Sequence, residues 1–211
     1  VQPGTVIAGN HIHDVLAHDY GSFGIYLDEG SSHMVVEQNL VHDTDGRCFT
    51  HHFGRENIVR NNVLVNTKSG VASIGRADDA RSDNFLHNLF ISSTGMIFQG
   101  GHSASPEAGF RSDANWIVHA AARRPYCYNK PETGRANLTW EQWQECGNEM
   151  NSRIQSMPEK DLPTAPEQIL RFLKESDAST VFRLDDPWWT EAGVRPRSRR
   201  TVLWQPLWRP E

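Results

Sequence analysis

Short apolar runs recur along the first half of this chain at a spacing of roughly two dozen residues, the size of one coil in a stacked repeat protein. The leading runs occupy residues 24–27, 48–51, 70–74 and 95–98. Two further runs lie between successive leading runs, as at residues 34–36 and 40–41. The pattern therefore predicts coils that each contain three short strands.

The corner between the second and third run of each coil carries asparagine, at Asn10, Asn39, Asn61, Asn62 and Asn88. Asparagine tolerates the left-handed backbone conformation and bonds local backbone groups, as a tight corner requires, and stacked copies suit a ladder of side-chain amides. A β-sandwich is the alternative, but it does not explain why asparagine recurs at one place in every repeat. We predict an all-β fold, a right-handed parallel β-helix solenoid with a C-terminal, partly helical cap rich in tryptophan and proline.

Two regions are predicted, the β-helix repeats at residues 1–125 and a tail at residues 126–211. Thr139 and Gln142 form the sequence pattern of a capping box, which opens a short helix ending near Gly147. A similar pattern at Thr164 opens a helix that carries Ile169, Leu170 and Leu173 on one face. Because an open solenoid end exposes unpaired strand edges, the tail is predicted to cover it. Its tryptophans could instead form a platform for stacking sugars: Trp188, Trp189, Trp204 and Trp208.

The composition suits a narrow core, because only 37% of the 211 residues are hydrophobic. The net charge of -5 gives no basic surface for nucleic acid, and no apolar run is long enough to span a membrane. Three cysteines do not make a disulfide framework. Either Cys48, Cys127 and Cys146 are all free thiols, or Cys127 and Cys146 form one disulfide. The chain starts within a repeat at Val1, so we expect preceding N-terminal coils that include any signal peptide and end cap.

Acidic residues and histidines are predicted to stack, because parallel strands in adjacent coils lie about 4.8 Å apart. If Ile25 aligns with Phe49, Asp28 lies over His52. If the corner asparagines are aligned, Asp28 lies over His51 and Glu29 over His52. Both alignments stay open at this point. The candidate catalytic residues are Asp28, Glu29, His52 and His51, and the same edge continues toward Arg76, Asp78, Asp79 and Gln99.

A carboxylate beside an imidazole or a second carboxylate provides the minimum equipment for proton transfer, and glycoside hydrolysis needs two such groups across the scissile bond. The alternative is that these residues are solvated turn residues. The candidate substrate-binding residues are Tyr26, Tyr20, Arg55, Arg76 and Gln99, with Arg60 as a further candidate for binding an acidic group. His11 and His13 alternate as strand residues do, but no recognisable ligand set accompanies them, and we predict neither a metal nor a cofactor.

The segments GIYLDEGSS at residues 24–32 and HHFGRENIVRNN at residues 51–62 resemble bacterial right-handed β-helix proteins of the pectate-lyase-like superfamily, in particular its glycoside hydrolases. Those proteins carry a spaced pair in the pattern H-x-H-Y-G, of which only His52 has a match here. Residues 138–147 resemble their L-x-x-x-x-W-Q-x-x-G segment, and the resemblance covers about residues 1–150. It implies an extracellular or periplasmic enzyme that acts on a polysaccharide.

The leading hypothesis is a glycoside hydrolase in which Asp28 is the preferred catalytic carboxylate and Glu29 or His52 its partner. A polysaccharide lyase of the same fold is a second hypothesis, with His52 or Arg55 as base, although no calcium-like cluster of carboxylates is present in the sequence. A third hypothesis is a non-catalytic, glycan-binding solenoid of the cell surface.

Overall fold

The computed structural model describes residues 3–18, 21–66, 68–76, 81–101, 109–120, 124–130 and 134–176, and its strands form three sheets. The first sheet contains β1 (Val6–Ala8), β4 (Val35–Glu37), β7 (Asn57–Arg60), β10 (Asp83–Leu86) and β13 (Phe110–Asp113). The second contains β2 (His11–Ile12), β5 (Leu40–Val41), β8 (Val63–Asn66), β11 (Leu89–Ser92), β14 (Trp116–His119) and β17 (Arg153–Ser156). The third contains β3 (Ile25–Leu27), β6 (Phe49–His51), β9 (Ala72–Ile74), β12 (Phe98–Gly100), β15 (Tyr126–Lys130) and β16 (Gly134–Leu138).

Each turn of the chain adds one strand to each sheet, and every neighbouring pair of these strands is parallel except β15 and β16. About four such turns form a right-handed parallel β-helix, which confirms the predicted all-β solenoid. A sandwich is excluded because its strands pair antiparallel. The predicted limit of the repeats at residue 125 falls just before β15, which still pairs in parallel with β12.

The interior of the solenoid is a column of apolar side chains that point inward from alternate strand positions. Aromatic rings run along it: Phe49 contacts Phe85 edge-on at 5.4 Å between ring centroids, and Phe98 lies 4.8 Å from Phe110. At the C-terminal end, Trp143 is fully buried against Phe110 and stacks on Tyr126 at 4.4 Å. This ring closes the column, so the interior is not left open where the coils end.

A ladder of asparagine side chains fixes one corner, as the repeat predicts. The Nδ2 amide of Asn39 donates to Oδ1 of Asn62 at 2.9 Å, and Asn62 donates to Asn88 at 3.0 Å. Asn10 begins this ladder and Asn115 continues it. The predicted left-handed conformation occurs at Asn61. At the other corners it belongs to the residue before the asparagine, since Gly9, Gln38, His87 and Ala114 have positive φ. The backbone N–H and the side chain of each asparagine both bond the asparagine of the next coil, which fixes the asparagine in place. The change of chain direction therefore occurs at the preceding residue.

Two helices follow the coils. The predicted capping box is confirmed at α1 (Trp140–Glu145), where Thr139 and Gln142 bond each other's backbone N–H groups. The second box is wrong in detail: α2 (Pro166–Glu175) has Ala165 as its N-cap, and Oε1 of Gln168 accepts the N–H groups of Thr164 and Ala165 instead. A 3₁₀ turn, Glu159–Asp161, lies between the helices.

The helix α2 covers the outer face of the second sheet. Ile169 and Leu173 of the helix are buried with Leu40, Val63 and Leu89, which point outward from the strands. The three cysteines are free thiols, Cys48, Cys127 and Cys146. No helix in the described ranges is long and apolar enough to cross a membrane. The tryptophans considered for a sugar-stacking platform lie outside the described residues: Trp188, Trp189, Trp204 and Trp208.

Candidate functional site

The pairing of β3 with β6 decides between the two possible alignments. Ile25 pairs with Phe49 and Leu27 with His51, so Asp28 and His52 are the next residues at equivalent positions of adjacent coils. The His52 N–H donates to the Leu27 carbonyl at 2.8 Å, which continues the strand pairing by one residue. Asp28 therefore lies beside His52, as the first alignment predicts.

Four side chains meet just beyond the ends of these strands, and we call them the acid–histidine cluster: Asp28, Glu29, His52 and Arg76. The His52 ring lies between two carboxylates, with Nδ1 3.2 Å from Asp28 Oδ1 and Nε2 3.9 Å from Glu29 Oε1. The Arg76 guanidinium bonds the Glu29 carboxylate and lies 3.5 Å from His52 Nε2. Arg76 also covers the Phe53 ring at 5.1 Å. These contacts bring an acid, a base and a cation together on an accessible surface.

The neighbours of His52 favour one arrangement of its proton. Because a guanidinium can only donate, Arg76 Nη2 favours an acceptor at His52 Nε2. The proton then resides on Nδ1 and is donated to Asp28 Oδ1. A carboxylate that holds one imidazole nitrogen in this way leaves the other nitrogen available as a base.

His51 lies outside the acid–histidine cluster. In register it aligns with Leu27 and Ile74, both of which are buried, so its side chain points into the solenoid. There it is fully buried, with Nδ1 3.0 Å from Asp83 Oδ2. Since successive residues of a strand face opposite sides, His51 and His52 cannot both reach the surface here. The stacking of Asp28 on His51, which the second alignment predicts, does not occur.

A row of polar residues crosses the outside of the third sheet beside the cluster. Tyr26, Thr50, Ser73 and Gln99 occupy equivalent outward positions in four successive coils. Tyr26 is partly exposed, stacks on Phe23 at 5.3 Å and donates from its hydroxyl to Asp28 Oδ1 at 3.5 Å. The row gives a surface along which an extended molecule could lie, and it leads from the cluster across several coils.

The other predicted residues are distributed as follows. Gln99 lies in the polar row, where Arg47 donates to its Oε1. Arg55 is exposed in the loop after His52, and its backbone N–H donates to Ser32 Oγ. Arg60 belongs to the first sheet and pairs with Glu37 at 2.6 Å, nearly buried, so it is engaged away from the cluster. Tyr20, Asp78 and Asp79 lie outside the described residues.

The cluster lies on open surface. Among the described residues, those that line a cavity of about 380 Å³ belong to α2 and not to the cluster. In the part of the chain that the structure describes, no three His, Cys, Asp or Glu side chains are arranged to hold a metal ion. His11 and His13 do come together with His42, whose Nε2 lies 2.7 Å from His11 Nε2.

Sequence reasoning overlooked Phe53, Arg47 and Asp83. Phe53 is part of the segment that carries the resemblance, and its place one residue after His52 could have indicated a contact with the next coil. Arg47 precedes a strand and reaches Gln99 two coils further on, which no local pattern indicates. Asp83 opens a strand that is otherwise apolar at its inward positions, and its pairing with His51 requires the three-dimensional structure.

Comparison with known proteins supports the fold over part of the chain. Residues 2–98 match a family described as right handed beta helix region. Searches of curated proteins and of solved structures found no match. The matched segment contains the acid–histidine cluster and ends at the first residue of β12, and the same parallel stacking continues into β13, β14 and β15. The chain is thus a right-handed β-helix protein.

Proposed function

We propose that this protein is a carbohydrate-active enzyme, a glycoside hydrolase that cleaves a polysaccharide outside the cytoplasm, in the extracellular space or the periplasm. One observation carries the proposal: His52 bridges the Asp28 and Glu29 carboxylates at the margin of the polar row on the third sheet. The row supports a role in binding an extended chain of sugars, and Tyr26 offers a ring on which a sugar can stack.

The proposed chemistry uses two groups with different tasks. As general acid the Asp28–His52 pair carries one proton more than in the arrangement described above, and this proton passes to the glycosidic oxygen as its bond to the sugar carbon breaks. Glu29, paired with Arg76, stabilises the positive charge that develops on the sugar or orients the water that attacks it. The water that adds to the sugar carbon loses a proton, and this proton returns to the Asp28–His52 pair, which is then ready for the next turnover.

A polysaccharide lyase is a second candidate, and one contact favours it. His52 Nε2 lies 3.5 Å from Arg76 Nη2, so a base and a cation are adjacent. Elimination beside a uronate carboxylate needs a base to remove the proton and a cation to neutralise the acid. Ionic pairing of Arg76 with Glu29 competes with this role, which is why hydrolysis is the leading proposal.

The test compares single variants on a panel of neutral and acidic polysaccharides. We expect Asp28→Asn and His52→Ala to lower the rate of reducing-end release by about 100-fold or more. Asp43→Asn is the matched control, because Asp43 is also an exposed carboxylate bonded to Nδ1 of a histidine, His42, but lies outside the cluster. Its rate should equal that of the wild type.

The outcomes separate the candidates. A product that absorbs in the ultraviolet would identify the unsaturated end left by a lyase. Unchanged turnover in both Asp28→Asn and His52→Ala would contradict the assignment of the cluster. Glycan binding that persists in both variants, with no product from the wild type, would identify a non-catalytic solenoid.

A further inference from the structure

Three polar side chains are buried in the solenoid next to the acid–histidine cluster: His51, Asn57 and Asp83. All three are fully inaccessible to solvent. Burying charged or polar groups in an apolar interior is costly unless each one is paired. These three buried side chains must therefore be paired by specific hydrogen bonds, and their partners show which segments of the chain they connect.

The contacts join three strands, β6, β7 and β10. His51 ends β6, and its Nδ1 lies 3.0 Å from Asp83 Oδ2 at the start of β10. Asn57, at the start of β7, donates from Nδ2 to Asp83 Oδ1 at 3.1 Å and to the Ser31 carbonyl at 3.0 Å. Its Oδ1 accepts the Met34 N–H at 3.0 Å. The network thus reaches the loop that follows Asp28.

The second nitrogen of His51 extends the network to the loop that follows His52. Asn57 Nδ2 lies 3.4 Å from His51 Nε2, but its two hydrogens are already donated to Ser31 and Asp83. The backbone carbonyls of Ser31 and Phe53 lie near the His51 ring and favour its protonated form. Burial alone would lower the pKa of His51, but the Asp83 carboxylate and these acceptors outweigh it, so the pKa lies above its ordinary value.

The two loops approach each other closely at this point. Gly30 N–H donates to the Phe53 carbonyl at 2.8 Å, so the loops at residues 28–33 and 52–56 are bonded directly. A Cβ at Gly54 would lie 2.0 Å from the Ser31 carbonyl oxygen and 2.7 Å from His51 Nε2. The first loop carries Asp28 and Glu29, and the second begins with His52. Their separation therefore sets the spacing of the cluster.

We propose that His51, Asn57 and Asp83 form a positioning network that holds these two loops together and thereby fixes Asp28 and Glu29 relative to His52. The inference rests on the proposed function, since it assigns His51 to positioning rather than to contact with substrate. The network bonds the Ser31 carbonyl and lies against the Phe53 carbonyl, and these carbonyls belong to the two loops that carry the cluster. Its effect on activity is transmitted through backbone placement.

The principal test is Asp83→Asn, which keeps the size of the side chain and removes its charge. We expect kcat to fall about 10- to 100-fold on a glycan that the wild type cleaves, with KM nearly unchanged. A displacement of catalytic groups by about 1 Å lowers the rate by up to about 100-fold. Ring resonances of His52 in a histidine NMR spectrum should move toward those of Asp28→Asn, since both changes weaken the Asp28–His52 contact.

Asp113→Asn is the matched control. Asp113 is also a nearly buried carboxylate at a strand of the first sheet, and it accepts the Asn151 N–H at 2.7 Å at the other end of the solenoid. This variant should be destabilised while its kcat and His52 resonances stay as in the wild type. If Asp83→Asn does not fold, Asn57→Ala replaces it, because it removes the donor to Ser31 and retains the His51–Asp83 pair.

The NMR measurement separates failure of this inference from failure of the proposed function, because it needs no substrate. Wild-type His52 resonances in the folded Asp83→Asn or Asn57→Ala variant would overturn the positioning role. Equal losses of kcat in Asp113→Asn and Asp83→Asn would overturn it as well, since general destabilisation would then suffice. Displaced resonances in a protein that cleaves no glycan would support the positioning role and contradict the enzyme assignment.

Discussion

His51 and His52 are adjacent in the sequence and yet occupy opposite environments. One is fully buried beside Asp83, and the other is partly exposed between Asp28 and Glu29. A shift of one residue in register would exchange them, because the side-chain period of a strand is two. The placement of a single strand therefore decides which histidine is available for chemistry.

The sequence left this register ambiguous for an identifiable reason. Twelve positions separate Leu27 from Asn39, whereas eleven separate His51 from Asn62. The segment from the end of the strand to the corner asparagine is thus one residue longer after β3 than after β6, so alignment on strands and alignment on asparagines disagree. The pairing of Leu27 and His51 with Ile74 identifies the inward row, and two of its three members are apolar. Weighting the apolar positions would have selected the correct alignment.

Gly54→Ala should lower the free energy of unfolding by roughly 3 kcal/mol, because a Cβ there would overlap the Ser31 carbonyl and force the two loops apart. Gly70→Ala is the control: its Cβ would meet the flexible Met96 side chain at 3.3 Å and the Ile97 carbonyl oxygen at 3.9 Å, and should cost far less. Urea unfolding followed by circular dichroism measures both. Similar losses in the two variants would contradict the close approach.

At the scale of the element, the asparagine corner shows what a repeat can predict. The amide ladder is expected from spacing alone, since residues at the same phase of parallel coils become neighbours. The left-handed residue before each asparagine is not conserved in type, being glutamine, asparagine, histidine and alanine in successive coils. Composition could not reveal it at every corner, because glutamine and alanine have no preference for that conformation. The ladder imposes the conformation on them.

Asn62→Ala should cost at least about 3 kcal/mol of unfolding free energy. The change leaves the buried N–H and Nδ2 groups of Asn39 without their acceptor and removes the donor to Val36 O and Asn88 Oδ1. Asn10→Ala removes one side-chain bond at the exposed start of the ladder and should cost roughly 1 kcal/mol or less. Equal costs in chemical denaturation would show that the ladder is not a buried cooperative element.

For the whole molecule, the end of the solenoid matters as much as its repeat. The apolar column ends on Trp143, and the asparagine ladder ends on Glu149, whose carboxylate accepts from Asn115 Nδ2 at 3.2 Å. The capping box let the sequence predict the helix that carries Trp143. Glu149 was not predicted, because it lies in an irregular segment after that helix and a single glutamate there has no pattern. The ladder needs an acceptor at its last amide, and this requirement becomes visible only in the folded chain.

Glu149 makes the stability of the whole solenoid depend on pH. Burial raises its pKa to about 7 from an ordinary 4.5, although hydrogen bonds from Ser112, Ser152 and Asn115 partly oppose this. The folded state therefore binds the Glu149 proton more tightly than the unfolded state does. This contribution to stability is fully present below pH 4.5, decreases as the pH rises toward 7, and amounts to roughly 3 kcal/mol.

Glu149→Gln should remove this dependence of stability on pH, because glutamine does not titrate. It keeps an oxygen that can accept the hydrogen bond from Asn115. Urea unfolding of both proteins between pH 4.5 and pH 8 provides the measurement, and subtracting the two curves cancels other groups such as His51. The unfolding free energy of the variant minus that of the wild type should increase by roughly 3 kcal/mol as the pH rises through this range. Parallel curves would mean that Glu149 is ionised in the folded protein throughout, which would require the amide ladder and the two serine hydroxyls to stabilise the carboxylate as fully as water does.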